Sequence, residues 1–231
     1  MPESYRQELQ SLKLFSGMEK DNFDALMRGA YVQNFPPRID LISEGDAPDF
    51  LHVVLAGSVD LYCSWNGRET SMATVRPVST FILAASVQNA PYLMSARTLE
   101  KSRIVLLPSE DVRTIFDRDG AFARAIVGEL AQCYRSVVKN TKDLKLRTSL
   151  ERLANYLLRQ SGSTGAPSFE LKMEKRRLAS FLGMTPENLS RAFRGLEPYG
   201  VTVTGSRIEI TDANDLTDFA KPSRLIDDYA S

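Results

Sequence analysis

The chain has 231 residues, 43% of them hydrophobic and 25% charged, so it has material for one large domain or two small ones and is neither disordered nor fibrous. No run approaches the roughly 18 to 20 apolar residues of a membrane span, and MPESYRQELQ puts no apolar stretch behind a basic start, so a cytoplasmic protein without membrane contact is expected. Net charge is zero, but residues 1–120 hold 12 basic against 16 acidic side chains, residues 145–208 hold 11 against 5, and residues 209–231 hold 2 against 6. Positive potential gathered on one module points to a polyanion as that module's partner.

Few residues are available for chemistry. Two cysteines, Cys63 and Cys133, cannot build a four-thiolate zinc or iron–sulfur site within one chain. His52 is the only histidine, and no nucleophile or oxyanion arrangement accompanies it, so the chain is read as no enzyme.

Along the chain, residues 4–30 read as one or two short helices with Asp21 as an N-cap. From about 31 to 107 the pattern changes to short apolar alternations broken by Gly, Pro, Asn and Asp, the texture of a β-sandwich, roll or barrel. Asn66-Gly67 between two such runs is a strong hairpin signal. Residues 109–147 turn helical after Pro108, with Ser109 as N-cap. Within them Ile126, Leu130, Cys133, Val137, Asn140 and Leu144 follow spacings of 4, 3, 4, 3 and 4, the seam of a coiled coil. A dimerisation helix is therefore expected, against the alternative of a helix packed on its own β-domain.

A third module begins with LERLANYLLRQ as an amphipathic helix, then a short strand SFELKM. In KRRLASFLGMTPENLSRAFRGLE two helices meet at a turn containing Gly183, which is the helix-turn-helix pattern, and VTVTGSRIEIT follows as a β-ribbon wing. Thr185 as N-cap and Pro186 as first residue fix the start of the second helix. Leu189, Ala192, Phe193 and Leu196 form its buried stripe. Glu187, Ser190 and Arg191 are left to contact bases: Arg can fork onto guanine, Glu can accept from a cytosine amino group, and Ser adapts. Lys175, Arg176, Arg177, Thr185, Asn188, Arg194 and Arg207 suit phosphate or accessory contacts, which position without specifying.

With these residues in place the chain resembles the CRP/FNR superfamily of bacterial transcription regulators over almost its whole length. The resemblance rests on LISEGDAPDFLHVVLAGSVDLY, on ERLANYLL, and on RRLASFLGMTPENLSRAFRGLEPYG with the GSRIEI wing. It implies an α+β chain with three parts: a cyclic-nucleotide-binding-like β-roll sensor over 1–108, a dimerisation helix over 109–147, and a winged helix-turn-helix over 148–231. Glu187-Asn188-Leu189-Ser190-Arg191 is similar to the E-x-x-S-R recognition motif of FNR-type members. The implied partners are double-stranded DNA carrying an inverted repeat of TTGA-type half-sites, a second copy of the chain, and RNA polymerase. The competing class is a cyclic-nucleotide-binding regulatory protein that binds no DNA.

The sensor departs from the cyclic-nucleotide members. Where they carry Gly-Glu this chain has Ile82-Leu83, where they carry Arg-Ser it has Ala90-Pro91, and the purine-holding hydroxyl pair falls on Val137-Val138. A buried phosphate without cation or donors is electrostatically prohibitive, so cAMP is rejected as effector. Arg97 restores an anchor only if the register slips. An iron–sulfur cluster of the FNR kind is excluded by cysteine count. Phe81, Leu83, Tyr92, Met94, Tyr134, Val137 and Val138 are the candidate effector pocket. Three readings stay open: a small apolar or aromatic effector, haem with His52 as candidate ligand, or no ligand. Cys63 and Cys133 are read as small hydrophobes, against the alternatives of a Cys133 pair across the seam or a redox-sensitive thiol.

Overall fold

The computed structural model describes residues 2–171 and 173–228, which form two compact units divided inside one helix between Cys133 and Tyr134. The first unit opens with α1 (Glu3–Gln10) and α2 (Lys20–Arg28). Eight strands follow: β1 (Tyr31–Phe35), β2 (Asp40–Ile42), β3 (Phe50–Ala56), β4 (Val59–Trp65), β5 (Arg68–Val75), β6 (Ser79–Phe81), β7 (Ser95–Thr98) and β8 (Ser102–Pro108). The short α3 (Leu83–Gln88) lies between β6 and β7; α4 (Ser109–Arg118) and the first half of α5 (Gly120–Leu146) close the unit.

The strands make two antiparallel four-stranded sheets, ordered β1-β8-β3-β6 and β2-β7-β4-β5. Alternation of side chains across β3 explains its unbroken buried run, because both of its faces are covered. Val54 joins Ile42, Val59, Leu61, Phe81 and Ile104 between the two sheets, while Leu51, Val53 and Leu55 pack under Phe15, Phe23, Leu26 and Ile115 from the helices. The roll is thus a three-layer body with its helices on one side.

Asn66 (φ 50°) and Gly67 (φ 73°) form the expected two-residue turn between β4 and β5, with Trp65 facing Arg68 across it. Two consecutive positive φ values match the right-handed twist of the strands. Trp65 at the end of this hairpin is 80% exposed. At the β3–β4 turn Gly57 has φ 84°, and a Cβ added there would lie 2.6 Å from the Lys101 carbonyl oxygen. Replacing Gly57 with Ala is expected to cost about 1–3 kcal/mol, through both the left-handed backbone and the backbone collision. A lower urea midpoint at unchanged slope is the expected reading; an unshifted midpoint contradicts it.

Three local expectations need correction. Glu19, not Asp21, occupies the cap of α2, and Asp21 sits in its first turn. Pro108 takes the cap of α4, leaving Ser109 buried as its first residue. Residues 109–147 are two helices rather than one, because Asp119 interrupts them. Its carboxylate accepts from Ala121 N and Phe122 N, capping α5, and from Glu19 N and Asn22 Nδ2, tying α5 to the start of α2. Burial pushes this carboxyl up, but those donors outweigh it and hold it below its usual range.

Two residues expected in a dimer seam are not open to solvent. Ile126 is 0% exposed and belongs to its own unit's core beside Phe122, and Asn140 is half-buried with an interaction of its own. Apart from Val138 at 38% and Leu146 at 69%, the apolar side chains that α5 leaves in solvent are Val127 at 58%, Tyr134 at 70% and Val137 at 60%, with Leu144 half-exposed. With the partly buried Leu130 they follow a 3-4 spacing through Thr141, one residue later than the sequence pattern at three of six positions.

The second unit contains the end of α5, α6 (Ser149–Thr164), β9 (Ser168–Glu170), α7 (Lys175–Phe181), α8 (Pro186–Gly195), a 3-10 turn Glu197–Tyr199, β10 (Val201–Thr204), β11 (Arg207–Ile210), α9 (Ala213–Ala220) and α10 (Arg224–Asp227). The sheet order is β10-β11-β9, all antiparallel. Lys172, which the sequence reading includes in the first of these strands, lies outside the described residues, as do the last three residues of the acidic tail. The core gathers Leu153, Leu157, Leu178, Leu189, Phe193, Leu196 and Ile208. The described tail packs on the body: Leu216, Ala220 and Ile226 are buried, and Asn155 Nδ2 donates to Ala220 O at 2.8 Å.

Candidate nucleic-acid interface

Four short elements present the candidate surface. α7 ends at Leu182, and Gly183 (φ 63°) turns the chain into α8. A side chain at Gly183 would be strained in backbone and would also meet the Leu144 side chain of α5 at 2.6 Å. Thr185 caps α8 by accepting from Asn188 N at 3.2 Å, and Pro186 stands at the first helical position. Leu189, Ala192 and Phe193 bury one side of the helix, leaving Glu187, Asn188, Ser190, Arg191 and Arg194 in solvent. The three residues expected to read bases therefore share the exposed side, although two of them are engaged locally. Ser190 Oγ donates to Pro186 O at 3.0 Å. The Glu187 carboxyl is held below its usual range by its own backbone N–H, then by the Thr185 hydroxyl and by the charge of Arg191. These bonds leave the Ser190 hydroxyl free to accept and the Glu187 carboxylate with further acceptor positions.

Around α8 the basic residues separate into two recesses. Lys175, Ser190, Phe193, Arg194, Glu197 and Val203 line a shallow cleft of about 230 Å³ between α7, α8 and the wing, with Lys175 Nζ 5.7 Å from the centre of the Phe193 ring. Arg176 is exposed on α7, Arg177 is half-buried with an interaction of its own, and Arg207 on the wing donates to Ser168 Oγ at 2.8 Å. On the other flank Asn188 and Arg191 share a recess of about 410 Å³ with Thr148 and Ser149 at the start of α6. These last two were not among the candidates read from sequence. The signal was present: Thr148-Ser149-Leu150-Glu151 is a capping box, with Glu151 N donating to Thr148 Oγ1 at 3.3 Å and Thr148 N to Glu151 Oε2 at 2.7 Å.

In the first unit the candidate pocket residues do not share one environment. Phe81, Tyr92 and the partly buried Met94 belong to the cluster between the sheets, Leu83 to the cluster beneath the helices, and Tyr134, Val137 and Val138 to the second unit. His52 is buried with its ring stacked 4.8 Å from that of Phe81, and its Nδ1 has no partner. Burial lowers its pKa to about 4, partly offset by a hydrogen bond with the Phe50 backbone. A neutral imidazole is chemically fit to ligate iron, but one so enclosed and stacked in the roll offers no room for a porphyrin, and the haem assignment does not fit this site. Arg97, the remaining phosphate candidate, lies 3.9 Å from Asp60 and 3.3 Å from Glu69, with its guanidinium 4.4 Å over the Tyr62 ring.

A two-sheet roll followed by a winged helix-turn-helix defines a regulator that joins a sensor domain to a DNA-binding one. Comparison with known families agrees: residues 32–119 match the cyclic nucleotide-binding domain and residues 151–219 the Crp-like helix-turn-helix domain. The CRP-like cAMP-activated global transcriptional regulator of Mycobacterium tuberculosis is 23% identical, over 88% of this chain and 94% of its own. The transcriptional activator protein anr of Pseudomonas aeruginosa is 21% identical, over 76% of this chain and 75% of its own. The structure of FixK2 from Bradyrhizobium japonicum shares the fold with a TM-score of 0.68 at 21% identity, covering 84% of this chain and 98% of that one. The chain is a DNA-binding transcription regulator of the CRP/FNR family. Among the described residues no helix is long and apolar enough to cross a membrane.

Proposed function

We propose that the chain acts as a cytoplasmic homodimer whose two α8 helices enter successive major grooves of an inverted repeat with TTGA-type half-sites. The observation that carries this is the exposed side of α8, where Glu187, Ser190 and Arg191 stand together on a helix whose start is fixed by Thr185 and Pro186. In this reading Arg191 forks onto a guanine, Glu187 accepts from a cytosine amino group and Ser190 adapts to either strand. Lys175, Arg176, Arg177, Asn188, Arg194 and Arg207 contact phosphates or support the reading residues, and RNA polymerase is the downstream partner. The protomers pair through Val127, Leu130, Tyr134, Val137 and Leu144 of α5.

The M. tuberculosis relative is described as cAMP-activated; for this chain we infer an effector without a phosphate, apolar or aromatic, or none. Residues 77–96 contain no charged side chain, and Arg97 beyond them is committed to Asp60, Glu69 and Tyr62. A buried phosphate there lacks a counter-charge.

Selection from a random duplex library is the test: TTGA palindromes recovered by the purified chain support the reading, and recovery without sequence preference overturns it. Sedimentation tests the pairing. Replacing the exposed Val137 with Glu puts two like charges into an apolar seam without disturbing either unit's core, so a dimer is expected to become a folded monomer with wild-type circular dichroism, whose melting temperature falls only by the stabilisation that pairing supplied and no longer depends on concentration. A persistent dimer rejects this seam.

A further inference from the structure

Beyond residue 219, where the match to the helix-turn-helix domain ends, Asp227 is the most heavily hydrogen-bonded carboxylate of the C-terminal segment. Arg147, at the end of α5, forks onto it, Nη1 to Oδ1 at 2.8 Å and Nη2 to Oδ2 at 2.7 Å. Arg159 Nη1 adds a third donor at 2.6 Å and Ser223 N a fourth at 2.7 Å. The Arg147 and Asp227 side chains are only 8% and 11% exposed, so salt screens them little.

Arg147 is in turn held from its other end. Its carbonyl accepts from Arg152 Nη1 at 2.7 Å, and the same buried guanidinium donates through Nε to Leu182 O at 2.9 Å and through Nη2 to Gly183 O at 3.4 Å. Leu182 and Gly183 form the turn from which α8 departs. Arg152 therefore places its charge on three carbonyls at the C-terminal ends of α5 and α7, where helix dipoles favour a cation. A continuous path runs from the tail carboxylate through Arg147 and Arg152 to the turn before the recognition helix.

We propose that Asp227 is a positioning residue for DNA recognition: it fixes Arg147, and through Arg152 the turn that aims α8. This rests on the reading that α8 contacts bases. Charge alone makes the opposite prediction, since removing a carboxylate from a module that binds a polyanion raises affinity for every duplex.

The experiment uses the full chain, a duplex recovered by the selection above, and a random duplex of equal length at the same salt. Replacing Asp227 with Asn is expected to weaken binding to the selected duplex about tenfold while binding to the random duplex stays equal or rises. Asp227→Glu, which keeps the carboxylate, is expected to recover most of the loss. Unchanged or tighter binding to the selected duplex overturns the inference, as does an equal loss on both duplexes from a variant with wild-type circular dichroism and melting temperature. Should Asp227→Asn fail to fold, amide exchange in the wild-type chain decides. A common protection of the N–H groups of Arg147, Gly183, Met184 and Asp227 supports the path, and independent, much faster exchange of Asp227 overturns it. A selection that recovers no preferred duplex fails at the earlier step and removes the reading of α8 itself.

Discussion

Replacing Arg191 with Ala lowers affinity for the selected operator by about 1–3 kcal/mol per half-site, roughly 5- to 150-fold, and relaxes preference at one base pair. The side chain is exposed on α8 and outside the hydrophobic core of its unit, so folding stability is untouched and the loss is one of recognition. A guanidinium forking onto guanine makes two bonds that no other base edge can match, which is why the cost falls on one position. Arg176→Ala is the contrast. It lies exposed on α7, before the turn, and as a phosphate contact its loss weakens all sequences alike and lowers the salt slope by about one. Competition titrations against single-base variants of the operator separate the two behaviours. An Arg191→Ala protein that loses operator and random DNA equally would remove base recognition from this residue.

Acid is expected to destabilise the sensor unit well above the range where carboxylates titrate. His52 has a pKa of about 4 in the folded chain against an ordinary 6.5 when unfolded. Well above pH 6.5 neither state binds the proton and stability is complete. Between 6.5 and 4 the unfolded chain takes a proton that the folded one refuses, so stability falls as pH falls, by up to about 1.4 kcal/mol per unit and about 3 kcal/mol by pH 4. Because His52 is the only histidine, this window is nearly its own, whereas Asp119 and Asp227, held below their usual range, lose their contribution at lower pH. The measurement is urea unfolding at pH 7, 5.5 and 4.5 for the wild-type chain and for His52→Phe, which keeps a ring against Phe81 and removes the titration. The wild-type chain should lose about 2 kcal/mol more than the variant between pH 7 and 4.5; parallel curves refute the assignment.

What the sequence discloses here is set by how local the cause is. Asn66-Gly67, Thr185-Pro186 and the two halves of the wing are readable because a turn or a cap depends on residues a few positions apart. The side of α8 left exposed is readable because its buried stripe is complete within ten residues. The register of the α5 stripe is not, because Ile126 and Val127 carry the same apolar signal and only the cluster built from residues far earlier in the chain, Phe15, Phe23 and Leu26 among them, decides which is covered. The interruption at Asp119 depends on Glu19 and Asn22, about a hundred residues earlier. The tail conceals its anchors for another reason: five aspartates around Leu216, Ala220 and Ile226 read as solvated charge, until Arg147 and Arg159 are found facing one of them.

The hairpin between β4 and β5 carries the chain's single tryptophan, and Trp65 is already in water in the folded state. Its emission therefore changes little when the protein melts, and melting curves followed by selectively excited tryptophan emission are blind to unfolding of the helix-turn-helix unit, whose buried aromatic side chains include Tyr156 but no tryptophan. The same blindness makes the indole a clean optical probe of its own surroundings: any molecule that covers the hairpin tip shifts the emission to shorter wavelength against an otherwise silent background.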